Sequence, residues 1–128
     1  MWILDDGRVL KIAPPPDDAA PGARHVAEIS DAAGSVWTSL PDSGLPGMRL
    51  DNDFHMFMLE GELFASGRFD GSDEGARGLG LKWFDPATRQ WALLWQAGPK
   101  DNWRDLAGRM IVRTLANGKR VVIPVLGP

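Results

Sequence analysis

The fold is indicated most clearly by one stretch of the chain, Phe84-Asp85-Pro86-Ala87-Thr88-Arg89-Gln90-Trp91. An earlier stretch, Ile29-Ser30-Asp31-Ala32-Ala33-Gly34-Ser35-Val36-Trp37, has the same layout, with an Asp six residues before a Trp and turn-forming residues between them. The two tryptophans are 54 residues apart. Self-similarity at a period of about 50 residues is typical of propellers and other repeat arrays. The sequence therefore predicts a repeated unit.

A second landmark repeats at the same distance. Asp6-Gly7 and Glu60-Gly61 are 54 residues apart, and Asn117-Gly118 follows 57 residues after the second of these dipeptides. Apolar runs flank all three. A dipeptide of this kind between apolar runs indicates a β-hairpin with a two-residue turn, in which both central residues have positive φ. We therefore expect two-residue turns at all three positions.

Alternation of these hairpins with hairpins that carry the Asp…Trp turn gives four antiparallel strands per unit. The first unit covers about residues 2–40, the second about 54–95, and half of a third about 110–125. Phe54–Leu59 is apolar at almost every position, which predicts a strand buried on both faces between neighbouring sheets. The predicted fold class is all-β, with antiparallel four-stranded meanders as blades of a partial β-propeller, in a single region over residues 1–128.

Composition limits the function classes. The chain has 128 residues, a net charge of −3, six Trp, no Cys and no Tyr. The charge argues against a nucleic-acid partner, and the absence of Cys removes disulfides and thiolate chemistry. No stretch approaches the roughly 20 apolar residues of a membrane span. The N-terminus lacks the basic and apolar regions of a signal peptide. We expect a cytoplasmic protein if the chain is complete, and an extracellular or cell-surface one if it is a piece of a longer protein.

Three runs of the chain together resemble a kelch repeat, or the galactose-oxidase-like repeats of bacterial surface proteins: Trp37–Pro41, Leu59–Gly71 and Trp83–Trp91. In that family an apolar strand ends in a Gly-Gly doublet, and an aromatic-Asp-Pro turn leads to a Trp six residues after the Asp. The chain departs from the pattern at Ser66-Gly67, which stands in place of the doublet. The resemblance implies a β-propeller, and it carries no activity, because one fold hosts unrelated functions.

Closed propellers have about four to eight blades, more than this chain supplies. We expect it to be a piece of a longer propeller; the alternatives are one of several copies that close a ring, or an open stack of sheets. The function expected from the resemblance is a non-catalytic module that binds a protein or a glycan. The alternative is a fragment of a kelch-like enzyme, of the oxidase or sugar mutarotase type, with its active residues outside this chain. Galactose oxidases use copper with a Cys-modified Tyr. This chain has neither Cys nor Tyr, so we expect no cofactor here.

Candidate site residues are few. The repeat assigns Trp37 and Trp91 to packing between blades. Trp95 lies at a strand end and Trp103 in a loop outside the repeat pattern, so these two are candidate binding aromatics. Asp70 and Asp73 in an acidic loop are candidate ligand contacts.

Two acidic clusters, residues 51–53 and 70–74, carry the hard oxygen ligands that Ca²⁺ prefers, although solvated turns have the same composition. No catalytic residue and no metal site is predicted. His25 and His55 lie on different predicted strands, and His55 is expected to be a hydrogen-bonded core residue.

Overall fold

The computed structural model describes residues 1–14, 16, 18, 25–40, 54–68, 79–98, 101, 106 and 108–125. Within these ranges the chain forms ten strands in three antiparallel sheets, so the all-β antiparallel prediction is confirmed. The first sheet contains β1 (Trp2–Ile3), β2 (Val9–Ala13), β3 (Val26–Ser30) and β4 (Trp37–Leu40) in that order. The middle sheet contains β5 (Phe54–Leu59), β6 (Glu62–Arg68), β7 (Leu79–Asp85) and β8 (Gln90–Gln96), and the third pairs β9 (Met110–Thr114) with β10 (Arg120–Pro124).

The turns that join the first two strands of each sheet are of two kinds. Glu60 and Gly61 both have positive φ, 52° and 79°, and form the predicted two-residue turn. In the corresponding turn of the first sheet, between β1 and β2, only Gly7 has positive φ, and the N–H of Leu4 donates to the carbonyl of Arg8 at 2.8 Å. The loop there therefore has three residues, in which only the last needs the left-handed conformation.

The third sheet repeats this longer loop. The N–H of Leu115 donates to the carbonyl of Lys119 at 2.8 Å, and Gly118 has a φ of 88°. The side chains of Asp6 and Asn117 each accept a hydrogen bond, at 3.0 Å, from the backbone N–H two residues later. This local bond suits a turn whose second residue has negative φ. The prediction of two-residue turns at Asp6-Gly7 and Asn117-Gly118 was wrong.

The Asp…Trp stretches form the second kind of hairpin, as predicted. Asp31 accepts hydrogen bonds from the backbone N–H groups of Ser35 at 2.9 Å and Val36 at 3.3 Å. Asp85 accepts one from the N–H of Ala87 at 2.9 Å. In each case an Asp carboxylate holds the loop that reverses the chain, which explains why this residue type begins both turns.

The first and middle sheets pack on each other through an apolar cluster, which we name the first junction. Its buried members are Leu4, Leu10 and Ile29 from the first sheet and Leu63 and Phe84 from the middle sheet. Trp91 packs beside them, with its ring 5.5 Å from the ring of Phe84 in an edge-on arrangement.

The middle and third sheets pack on each other through a larger cluster, the second junction. The middle sheet contributes Phe64, Leu81 and Trp83, while the third sheet and the segment before it contribute Leu106, Ile111, Leu115, Val121, Ile123 and Val125. Successive residues of β6 thus point to opposite junctions, Leu63 to the first and Phe64 to the second. Strand β5 follows the same alternation, with Met56 and Met58 against the first junction and Phe57 and Leu59 against the second. The prediction that β5 lies between two sheets is confirmed, but full burial of the strand was wrong, because Met56–Leu59 are only partly buried.

The third sheet packs through the face opposite to the one that its position in the sequence repeat predicts. Leu10, Phe64 and Val121 each follow the turn glycine by three residues. Leu10 and Phe64 pack against the sheet that comes next in the chain, but Val121 packs back against the middle sheet. In agreement, the guanidinium of Arg113 in β9 donates to the carbonyl of Leu94 in β8 at 2.9 Å. The first strand of this hairpin therefore lies against the last strand of the middle sheet.

The two repeat tryptophans differ in their surroundings. Trp91 is half-buried in the first junction, whereas Trp37 is 37 % exposed and carries the ammonium of Lys11 over its ring at 4.2 Å. Packing between sheets is confirmed for Trp91 and wrong for Trp37, because the first sheet has a neighbouring sheet on one face only among the described residues. His55 is also exposed, contrary to the expected core position, while His25 is buried.

Candidate functional site

A cavity of about 230 Å³ opens between the hairpin turns of the first and middle sheets. Apolar side chains of the first junction, Leu4, Leu63 and Phe84, form its floor. Pro86, in the turn between β7 and β8, adds an apolar wall. The remaining walls are polar and come from the turns: Asp5, Asp6, Gly61, Glu62 and Asn117. The cavity thus combines an apolar floor with an acidic mouth.

Gly61 brings the turn of the middle sheet close to the turn of the first sheet. A Cβ at this position would lie 2.9 Å from Oδ1 of Asp5, and the φ of +79° is one that L side chains rarely adopt. Only glycine satisfies both conditions. The absence of a side chain here leaves the Asp5 carboxylate in place at the rim of the cavity.

Arg8 fixes the first sheet to the middle sheet on the other side of the mouth. Its Nε is 2.7 Å from Oδ2 of Asp6, and its Nη2 donates to the carbonyl of Pro86 at 2.8 Å. Asp6 is therefore already paired with a cation. Asp5 is exposed, and no described residue donates a hydrogen bond to its carboxylate or forms an ion pair with it. The cavity mouth consequently carries one uncompensated negative charge.

Glu62, which also lines the cavity, is committed to the second junction. It is 6 % exposed, and its Oε2 accepts a hydrogen bond from Nε1 of Trp83 at 2.9 Å. Its Oε1 accepts from Nδ2 of Asn117 at 2.7 Å and lies 3.5 Å from Nζ of Lys119. A buried carboxylate must be paired and hydrogen-bonded, and these three donors meet that requirement.

Lys119 adds a second polar contact between the middle and third sheets, since its Nζ donates to the carbonyl of Glu60 at 2.8 Å. Asn117 and Lys119 flank the turn glycine of the third sheet, and Glu60 and Glu62 flank that of the middle sheet. The turns of these two sheets are therefore clamped together by polar contacts, just above the apolar second junction.

The pKa of the Asp31 carboxyl is lowered in the folded chain. The backbone N–H of Ser35, helped by that of Val36 and by the Ser35 hydroxyl, holds the pKa of the Asp31 carboxyl below its usual range, while burial opposes this effect. These donors stabilise the charged form. Because they all belong to its own loop, Asp31 is a turn-forming residue and has no role at the cavity.

Of the predicted binding residues the structure describes only Trp95, which does not line this cavity. Trp95 is half-buried and packs against the second junction. Trp103, Asp70 and Asp73 lie outside the described residues, and so do the acidic clusters at 51–53 and 70–74. In the described part of the chain, no group of three His, Cys, Asp or Glu side chains is placed to hold a metal ion.

Sequence reasoning missed Asp5 and the neighbours of Gly61. A signal was present, since Asp5 immediately precedes one repeat landmark and Gly61 belongs to the next. Neighbouring units of a repeat array contact each other at equivalent positions. For two units that stack in the same strand order, that rule places the two turns side by side.

Comparison of the chain with protein-family models, with curated proteins and with solved structures finds no match. Among the residues that the structure describes, no helix has the length and apolar character to cross a membrane.

Proposed function

We propose that this protein is a non-catalytic, kelch-like binding module that recognises a protein partner through a basic side chain inserted into the cavity at the first junction. The observation that carries this proposal is the unpaired carboxylate of Asp5 above an apolar floor. A Lys or Arg side chain has the matching form, with an aliphatic stem that packs on apolar surface and a charged head that seeks a carboxylate.

The size of the cavity favours a protein partner over a glycan. Small-molecule sites usually have volumes of about 300–1,000 Å³, while this cavity has about 230 Å³. One long side chain fits such a space better than a sugar chain does. The net charge of −3 also favours the approach of a basic partner.

The arrangement of the first two sheets supports the kelch-like part of the proposal. Both are four-stranded meanders, an Asp…Trp turn joins the last two strands of each, and each presents equivalent residues, Leu10 and Phe64, to the next sheet. Two neighbouring blades of a propeller would have this relation. The reversed third sheet departs from it, so the comparison with propeller blades concerns the first and middle sheets.

The test is an NMR titration of the ¹⁵N-labelled chain with N-acetyl-arginine-methylamide, matched by the neutral analogue N-acetyl-citrulline-methylamide. We expect the arginine probe to shift the amides of Asp5, Gly61 and Leu63, with at least about fivefold weaker binding of the citrulline probe, since an ion pair contributes about 1 kcal/mol at such a site.

Asp5→Asn should abolish this preference, and Asp18→Asn, which removes one exposed carboxylate elsewhere, should leave it unchanged. Equal binding of the two probes by the wild-type chain, or an undiminished preference in Asp5→Asn, would refute the proposal.

A further inference from the structure

The outer face of the first sheet, which points away from the middle sheet, carries residues equivalent to those that the first junction buries. Val9, Ser30 and Trp37 precede Leu63, Phe84 and Trp91 by 54 residues. The later three are covered by the first sheet, but Trp37 is 37 % exposed. On the same face Ile3 and Val26 are 67 % and 47 % exposed. This face has the composition of an interface.

The strand register arranges the face in three rows. Ile3 pairs with Val9, and Ser30 pairs with Trp37, which places Ile3 and Trp37 at opposite ends of the first row. Lys11 pairs with Glu28 in the second row, and Ala13 pairs with Val26 in the third. A hollow of about 300 Å³ lies over the second and third rows.

If the same face of a second copy is laid on this one, each row can meet its own counterpart in the opposite order, and the residues that then face each other are complementary. A two-fold axis parallel to the strands, midway between β2 and β3, exchanges β2 with β3 and β1 with β4. It therefore places Ile3 opposite Trp37 of the second copy, Lys11 opposite Glu28, and Ala13 opposite Val26. Interfaces related by a two-fold axis require such self-complementarity. Strands of the two copies would stay nearly aligned, as in a β-sandwich with its sheets about 10 Å apart.

From this arrangement we propose that two copies of the chain associate face to face through the outer faces of their first sheets. The two Lys11–Glu28 pairs fix the register at the centre, and the apolar rows on either side supply burial. Glu28 has no described hydrogen-bond or ion-pair partner within its own chain, while Lys11 makes only the ring contact with Trp37. Both charges are thus available to a second copy. This proposal is independent of the cavity at the first junction.

Sedimentation velocity of the 128-residue chain over about 1–100 µM is the first test. We expect a dimer at the upper concentrations. Lys11→Glu places two carboxylates opposite each other, and Glu28→Lys places two ammonium groups opposite each other, so each variant alone should weaken association at least about tenfold. An equimolar mixture of the two variants restores opposite charges at both positions, and it should dimerise like the wild type.

Arg120→Glu on the outward face of the third sheet is the matched control, since it reverses one exposed charge elsewhere. It should dimerise normally, and far-UV circular dichroism checks that all three variants fold. Dilution of the labelled wild-type chain supplies a readout without any substitution, because the Trp37 indole resonance should shift while the backbone amide resonance of Val122 stays fixed. A wild-type monomer at all concentrations, a variant mixture that fails to associate, or loss of the dimer in Arg120→Glu would overturn the proposal.

Discussion

The middle sheet packs against similar strands at its two junctions, but the strand order of the neighbouring sheet differs between them. At the first junction, the turn after β1 lies against the turn after β5, and Arg8, the residue before β2, reaches the turn after β7. At the second junction, residues after the β9–β10 turn reach the turn after β5, while Arg113 of β9 reaches β8. The first junction therefore keeps the strand order of its neighbour and the second inverts it.

This difference shows that the sequence repeat does not by itself determine how a unit docks. Val121 and Leu10 occupy equivalent positions and are both buried, yet they face opposite directions along the stack. A two-stranded hairpin has one strongly apolar face, and hydrophobic burial is indifferent to strand order. Polar contacts distinguish the two arrangements, and at the second junction these come from Glu62.

The largest expected effects come from truncating one large buried side chain at each junction. Phe84→Ala and Phe64→Ala should each lower the free energy of unfolding by about 3–5 kcal/mol, since both side chains are fully buried. Urea denaturation measures the loss. The two variants should differ in which amide resonances move, with the first sheet affected by Phe84→Ala and the third by Phe64→Ala. Identical shift patterns would show that the two junctions are not separate clusters.

Removal of the clamp at the second junction should have the next largest effect. In Glu62→Gln an amide nitrogen replaces one carboxylate oxygen and faces a donor, either Nε1 of Trp83 or Nδ2 of Asn117. We expect a loss of about 1–3 kcal/mol from the unpaired buried groups. Glu60→Gln removes the neighbouring exposed charge and should change stability by less than about 0.5 kcal/mol. Equal effects of the two variants would contradict a clamp role for Glu62.

A glycine pair compares the turns at the two junctions. In Gly61→Ala the alanine has to adopt a positive φ, and its Cβ also clashes with the Asp5 carboxylate. In Gly118→Ala the alanine has to adopt a φ of +88°, but nothing lies within 4 Å of its Cβ. The left-handed backbone alone costs about 1–2 kcal/mol, so Gly118→Ala should lose that amount and Gly61→Ala more. The double variant Asp5→Gly with Gly61→Ala should recover the difference. Thermal unfolding measures all three, and an equal loss in both single variants would refute close contact of the turns.

The smallest effect is expected at Asp31, which lies away from both junctions. Its pKa is lowered in the folded state, so its charged form contributes stability that is present above the unfolded-state pKa and is lost as the pH falls through the folded-state value. Below the ordinary Asp value of 3.8, Asp31→Asn should therefore converge with the wild type in stability. Urea midpoints measured from neutral pH down to about pH 2 test this. A constant difference between the two proteins would contradict it.

Much of the fold follows from the sequence. The 54-residue repeat and the turn dipeptides locate the five hairpins whose turns the structure describes, and the nearly continuous apolar run of β5 reveals the middle position of its sheet. The exposure of Trp37 was not predictable from its equivalence with Trp91, since burial depends on whether a neighbouring sheet is present. The reversal of the third sheet was equally hidden, because Met110, Val112 and Val122 place apolar residues on its other face too, so the sequence suits either strand order.

The candidate site was harder to predict than the fold. Asp5 and Gly61 come together only because the first and middle sheets stack with their turns at the same end. Motif reasoning favours large aromatic and clustered acidic residues, so it selected Trp95, which the structure places against the second junction. A single carboxylate beside a turn glycine carries no such compositional signal.

The inverted docking of the third sheet is most directly tested by nuclear Overhauser effects in the ¹³C,¹⁵N-labelled chain. The structure predicts effects between the Arg113 side chain in β9 and Leu94 in β8, because the guanidinium donates to the Leu94 carbonyl. A third sheet docked in the same order as the first would instead bring β9 next to β5. Effects between Arg113 and Phe57 or Leu59, without any to Leu94, would contradict the reversed junction.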